Sequence, residues 1–106
     1  MTPKEILNKA TEINGCIEQS LQAMEECGEL IQAINKLRRL GGITFDKIRK
    51  PNKNDTQKYC FAYHDLCGEI ADVKIMIEQL ISMTDLETVE LIEERKITRL
   101  AKRLKL

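Results

Sequence analysis

The sequence predicts an all-α protein, a four-helix, bundle-like fold in a single domain over residues 1–106. Three observations lead there. The two prolines, Pro3 and Pro51, leave long stretches free of helix breakers. Two of those stretches carry apolar residues three or four apart. One holds Ile17, Leu21, Met24, Ile31 and Ile34, the other Leu66, Ile70, Val73, Ile77 and Leu80. Aromatic residues make up only 4% of the chain and Trp is absent, which suits helix packing through aliphatic stripes.

The elements follow in order. Thr2-Pro3-Lys4-Glu5 reads as a helix start. Thr2 caps, Pro3 takes the first helical position and Glu5 closes a capping box. This first helix runs to about Ile13, with Ile6, Leu7 and Ala10 inward, and Asn14-Gly15 breaks or bends it. Cys16 to Leu40 is helical throughout. Lys36, Arg38 and Arg39 suit the negative end of its dipole, and Gly41-Gly42 ends it. Ile43 to Asp55 reads as a loop with a turn at Pro51-Asn52. It is basic through Lys47, Arg49, Lys50 and Lys53, with Phe45 among them. Such a segment is most often a solvated connection, and otherwise a cover for a nucleotide.

Asn54 or Asp55 caps the third helix, Thr56 to Ser82, whose stripe also takes in Tyr59, Ala62 and Tyr63. Thr84-Asp85-Leu86-Glu87 reads as a second capping box. The last helix then extends to about Arg103, with Leu86, Val89, Ile92, Ile97, Leu100 and Leu104 inward. Lys96, Arg99, Lys102 and Arg103 form its basic side.

Lys plus Arg balance Asp plus Glu at 17 each, so no net field favours a nucleic acid polymer or an anionic membrane. The balance is local, however: Glu18 to Glu29 is acidic and Arg95 to Lys105 basic. No run approaches the roughly 20 apolar residues of a membrane span, and Met-Thr-Pro-Lys-Glu lacks a signal-peptide core. A cytoplasmic setting is the expectation. Cys16, Cys27, Cys60 and Cys67 contain no Cys-x-x-Cys pair. They are expected to be reduced, buried and small hydrophobic in character. His64, the only histidine, is expected at a surface or boundary.

Chemistry is suggested by two acidic signatures. Glu25, Glu26 and Glu29 lie on one long helix, and Glu69 and Asp72 on the other. Three- and four-residue spacing puts each set on one flank, at the margin of the apolar stripe. Either signature alone is common on a solvated helix. Together, on two helices that pack, they bring four carboxylates toward one place. Such a set repels itself unless a cation binds. Carboxylate oxygens without imidazole or thiolate select Mg2+ or Mn2+ over zinc. Gly28 and Gly68 beside these residues suggest close backbone approach between the two helices, since each costs about 1 kcal/mol against alanine in a helix interior.

The same arrangement resembles the MazG-type all-α nucleoside triphosphate pyrophosphohydrolases. Glu25, Glu26 and Glu29 match the Glu-Glu-x-x-Glu motif of that family, and Glu69 and Asp72 its Glu-x-x-Asp motif. Gln19, Glu69 through Leu80, and Lys96-Ile97-Thr98-Arg99-Leu100 extend the likeness, which covers roughly residues 15 to 105. The interval from Leu30 to Gly68 is longer than in compact members, and Gln22 stands where many carry Lys. The resemblance implies hydrolysis of an NTP or dNTP to the monophosphate and pyrophosphate. It implies Glu26, Glu29, Glu69 and Asp72 as metal ligands and Glu25 as a supporting or water-orienting carboxylate. It further implies Gln19, Lys96 and Arg99 as substrate contacts, and Arg103 more weakly. Phe45, Tyr59 or Tyr63 would meet the base. A homodimer or homotetramer with the pocket completed across an interface is also implied. Two other readings stay open. One is another enzyme of the fold, dUTPase-like or a phosphoribosyl-ATP pyrophosphohydrolase. The other is a non-catalytic helical interaction protein with a remnant acidic site. A ferritin-like di-iron centre is disfavoured because the Glu-x-x-His motif is missing.

Overall fold

A computed structural model describes residues 1–42 and 56–106. The expected loop over 43–55, with its basic residues, Phe45 and the Asn54 or Asp55 cap, lies outside the described residues. The rest folds as four helices with no strand among the described residues: α1 (Pro3–Asn14), α2 (Cys16–Arg39), α3 (Thr56–Ser82) and α4 (Leu86–Arg103). The all-α expectation therefore holds. No helix among the described residues is long and apolar enough to cross a membrane.

The helix ends are set by local chemistry. At α1 the Thr2 hydroxyl accepts from the Glu5 N–H at 3.1 Å, and the Thr2 N–H donates to Glu5 Oε2 at 3.0 Å. This is the expected capping box. Gly15 has φ +85°, a backbone setting that side chains disfavour, and breaks the chain between α1 and α2. Gly41 and Gly42 also have positive φ, and the Gly42 N–H returns to the Leu37 carbonyl at 2.9 Å. The Tyr59 hydroxyl donates to the Gly42 carbonyl at 2.9 Å, fastening the start of α3 to the end of α2.

At α4 the cap is Asp85 alone. Its Oδ1 accepts from the Glu87 and Thr88 N–H groups, and its Oδ2 from the Thr88 hydroxyl at 2.6 Å. The Thr84 hydroxyl instead donates back to the Leu80 carbonyl at 2.8 Å, so the expected box from Thr84 to Glu87 is not formed. The Asp85 carboxylate takes the cap, its Oδ1 reaching two N–H groups at once.

The centre of the molecule is the α2–α3 pair, with α1 against both and α4 lightly against α3. Leu37 near the end of α2 clusters with Tyr59, Ala62 and Leu66 near the start of α3, so the two helices run antiparallel. The seam reads Gln19, Ala23, Glu26, Leu30, Ala33 and Leu37 along α2. Along α3 it reads Tyr59, Ala62, Leu66, Glu69, Val73 and Met76.

This corrects several expected inward faces. On α2, Ile17, Leu21, Met24, Ile31 and Ile34 are all exposed, Ile17 at 78%. Two apolar stripes lie on opposite sides of α2. The one with Ala23 and Ala33 packs within the chain, because small side chains let the helices close up. Ile6 on α1 and Ile70 and Ile77 on α3 are exposed as well. So are Leu86, Ile92, Ile97, Leu100 and Leu104 on α4, because little of the chain packs against it. The four cysteines are free but exposed, contrary to the expected burial, because their positions fall off the seam. His64 is exposed as expected. A Cβ built on Gly28 or Gly68 meets nothing within 4 Å, so neither serves a close approach inside the chain.

The seam assignment predicts the pattern of destabilisation. Leu37→Ala should cost about 2–5 kcal/mol and Tyr59→Phe about 1 kcal/mol, both by urea unfolding. A Leu37→Ala loss well under 1 kcal/mol would contradict the seam.

Candidate metal centre

Midway along the seam, apolar residues give way to acids. Glu26 of α2 occupies the turn between Ala23 and Leu30, and Glu69 of α3 the turn between Leu66 and Val73. Each lies in the helix–helix contact rather than at its margin. Glu29 joins from the flank of α2, one turn beyond Glu26. One carboxylate oxygen from each of Glu26, Glu29 and Glu69 falls within a set spanning no more than 4.8 Å, and all three residues are half-buried.

The hydrogen bonding leaves this group unfinished. Glu26 Oε1 accepts from the Gln22 amide at 2.8 Å. Glu26 Oε2 and Glu69 Oε2 are buried without a partner. No Lys or Arg among the described residues pairs with any of the three. Buried acceptors without donors are costly. Carboxylate charges held within 4.8 Å of one another repel by about 3 kcal/mol or more at an effective dielectric near 20. The strain shows in Glu29. The neighbouring Glu26 charge, and next the Glu69 charge, push its carboxyl above the ordinary value of 4.5. Partial burial and Glu25 act in the same direction.

A divalent cation with a preference for oxygen ligands fits this donor set. It would satisfy the two orphaned oxygens and cancel the repulsion that raises Glu29. Three carboxylates without nitrogen or sulfur suit Mg2+ or Mn2+.

The remaining sequence-predicted residues are placed as follows. Glu25 is exposed on α2, close enough to influence Glu29. Asp72 is exposed on α3, nearly one turn beyond Glu69 and outside the trio. Gln19 is buried in the seam, about two turns before Glu26. Lys96 and Arg99 lie on α4, in shallow grooves walled only by α4 residues, so the chain does not bring them to the trio by its own packing. Tyr59 is 1% exposed and committed to Gly42. Tyr63 stacks on it at 6.4 Å and is half-buried. The buried Gln79 is a polar residue that periodicity did not single out. Its amide donates to the Leu7 carbonyl at 3.4 Å, linking α1 to α3.

Comparison with protein-family models, with curated proteins and with solved structures found no match in any of the three.

The raised Glu29 pKa fixes a sign. The native state holds the Glu29 proton more tightly than the unfolded chain does. The associated stability is fully present below 4.5 and is lost as pH rises through the native value. Without divalent ions, Glu29→Gln should therefore unfold at a higher temperature than wild type at neutral pH. The gap should close below pH 4.5. A gap that ignores pH, or a less stable variant at neutral pH, would contradict the account.

Proposed function

We propose that this chain is a Mg2+-dependent nucleoside triphosphate pyrophosphohydrolase of the MazG-like kind. It converts an NTP or dNTP and water to the monophosphate and pyrophosphate. The observation that carries the reading is the pair of orphaned oxygens, Glu26 Oε2 and Glu69 Oε2, inside a three-carboxylate cluster at the middle of the helix seam. The motif pattern over Glu25, Glu26, Glu29, Glu69 and Asp72 supplies the choice of substrate class.

Bound Mg2+, or Mn2+ in its place, supplies the positive charge that lets a polyanionic triphosphate approach a wall of carboxylates. The protein's own groups divide the remaining work. Glu26, Glu29 and Glu69 hold the cation, and the Gln22 amide fixes the Glu26 carboxylate through Oε1. Asp72 offers a further oxygen at the open edge of α3. Glu25, exposed beside Glu29, orients the attacking water and accepts its proton. The water oxygen bonds to the α-phosphorus, the bond from that phosphorus to the bridging oxygen breaks, and pyrophosphate leaves. Gln19 lies in the seam two turns before Glu26, and Lys96 and Arg99, which the chain's own packing leaves on α4, are the cations that a second copy would have to bring to the departing phosphates.

The reading is tested by pyrophosphate release across a panel of NTPs and dNTPs, with Mg2+ and with EDTA. Release should require Mg2+, and Glu69→Gln should lower it by at least a hundredfold while helix content is unchanged. Asp72→Asn should lower it less. Inert behaviour toward every common nucleotide, or full activity in Glu69→Gln, would overturn the proposal.

A further inference from the structure

Because α2 and α3 run antiparallel, an equal turn away from the seam on each helix puts side chains on one side of the pair. Glu29 and Asp72 follow the seam residues Glu26 and Glu69 by three positions each, and so share a side. Along α3 that flank takes in Phe61, Asp65, Gly68 and Asp72, at three- and four-residue spacing.

The flank is closed at one end. Gln79 follows the seam residue Met76 by three positions, which puts it on the same side. There α1 covers it: Gln79 is 3% exposed and bonded to the Leu7 carbonyl. Toward the Leu37 end the flank stays open, with Phe61 62% exposed and Asp65 and Gly68 exposed as well.

Two residues on this open stretch are unexplained by packing within the chain. Tyr59 is committed to Gly42, and Tyr63 is half-buried against Tyr59, whereas Phe61 presents its ring outward. Gly68 lies mid-helix, where glycine is disfavoured against alanine. Its φ is not positive, and a Cβ built on it meets nothing within 4 Å. Neither backbone strain nor a neighbouring group in the chain calls for glycine there. Phe61 precedes Glu69 by eight residues, a rise of about 12 Å, and Gly68 falls between the two.

We propose that this flank is the nucleoside cleft of the site: Phe61 stacks on the base of a nucleotide whose phosphates lie at Glu26, Glu29 and Glu69, and Gly68 leaves room for the sugar between them. Asp65, the acid on that stretch, is an acceptor for the sugar hydroxyls. Stacking on an aromatic face tolerates any base. Phe61 therefore selects nucleotides over inorganic polyphosphates, rather than one base over another. This assignment rests on the pyrophosphohydrolase reading of the site and adds to it where the nucleoside lies.

The experiment is titration calorimetry in Mg2+ with three ligands. Two are the α,β-methylene analogues of ATP and UTP, which resist cleavage at that bridge. The third is inorganic pyrophosphate, which has no base. Phe61→Ala should weaken both analogues about tenfold and leave pyrophosphate unchanged, and Phe61→Tyr should bind all three as wild type does. Gly68→Ala should melt at a higher temperature than wild type, alanine being the better helix former, yet bind the analogues at least threefold more weakly. Unchanged analogue binding by Phe61→Ala, or an equal loss for pyrophosphate, overturns the base contact alone. Gly68→Ala binding as tightly as wild type overturns the place given to the sugar. A wild type that binds pyrophosphate but neither analogue overturns the cleft. A wild type that binds none of the three overturns the pyrophosphohydrolase reading, and the cleft with it.

Discussion

Two carboxylates stand where helix packing calls for apolar side chains. Glu26 and Glu69 interrupt the α2–α3 seam midway, each leaving a buried oxygen with no donor. An aliphatic pair at the same positions would extend the core and remove a like-charge repulsion. The arrangement is intelligible if the seam is built to complete itself with something positive. Glu29, held above its ordinary pKa by the same neighbours, registers that need.

The rest of the fold positions this defect. Gly42 and Tyr59 fasten one end of the pair, and the Leu37 cluster packs just inside it. At the other end Gln79 ties α3 to α1 through the Leu7 carbonyl. Apolar packing on either side keeps the two helices in register, so the acids are held together despite their repulsion. Ala23 lies one turn before Glu26, and its small side chain lets the helices stay close there. A cation bound here would meet oxygens already gathered by the scaffold rather than by the ion.

The helices and most of their ends were legible in the sequence. Pro3, Gly15 and Gly41-Gly42 punctuate the chain by constraints on backbone angles that act locally. Which face of each helix would be buried was less legible, and α2 shows why. Its stripe of Ile17, Leu21, Met24 and Ile31 is the more hydrophobic, yet the chain packs the opposite stripe, with Ala23 and Ala33. Hydropathy ranks stripes by side-chain size, whereas close packing rewards small residues, and a single sequence does not say which stripe is kept for another molecule. The same ambiguity placed the acids at the edge of the wrong stripe. The three- and four-residue spacing still paired Glu26 with Glu29, and the expected packing of the two helices joined them to Glu69, as the structure does. The same spacing paired Asp72 with Glu69, yet the structure leaves Asp72 outside the trio, since a spacing fixes direction on one helix and not distance to another.

The most direct measurement is Mn2+ binding followed by the paramagnetic resonance of the free ion, on the protein alone. A saturable site should appear in wild type, be competed by Mg2+, and vanish when Glu26 and Glu69 are both replaced by Gln without loss of helix content. Absence of saturable binding in wild type, or a site that survives the double replacement, would contradict the claim that the seam is built around a cation.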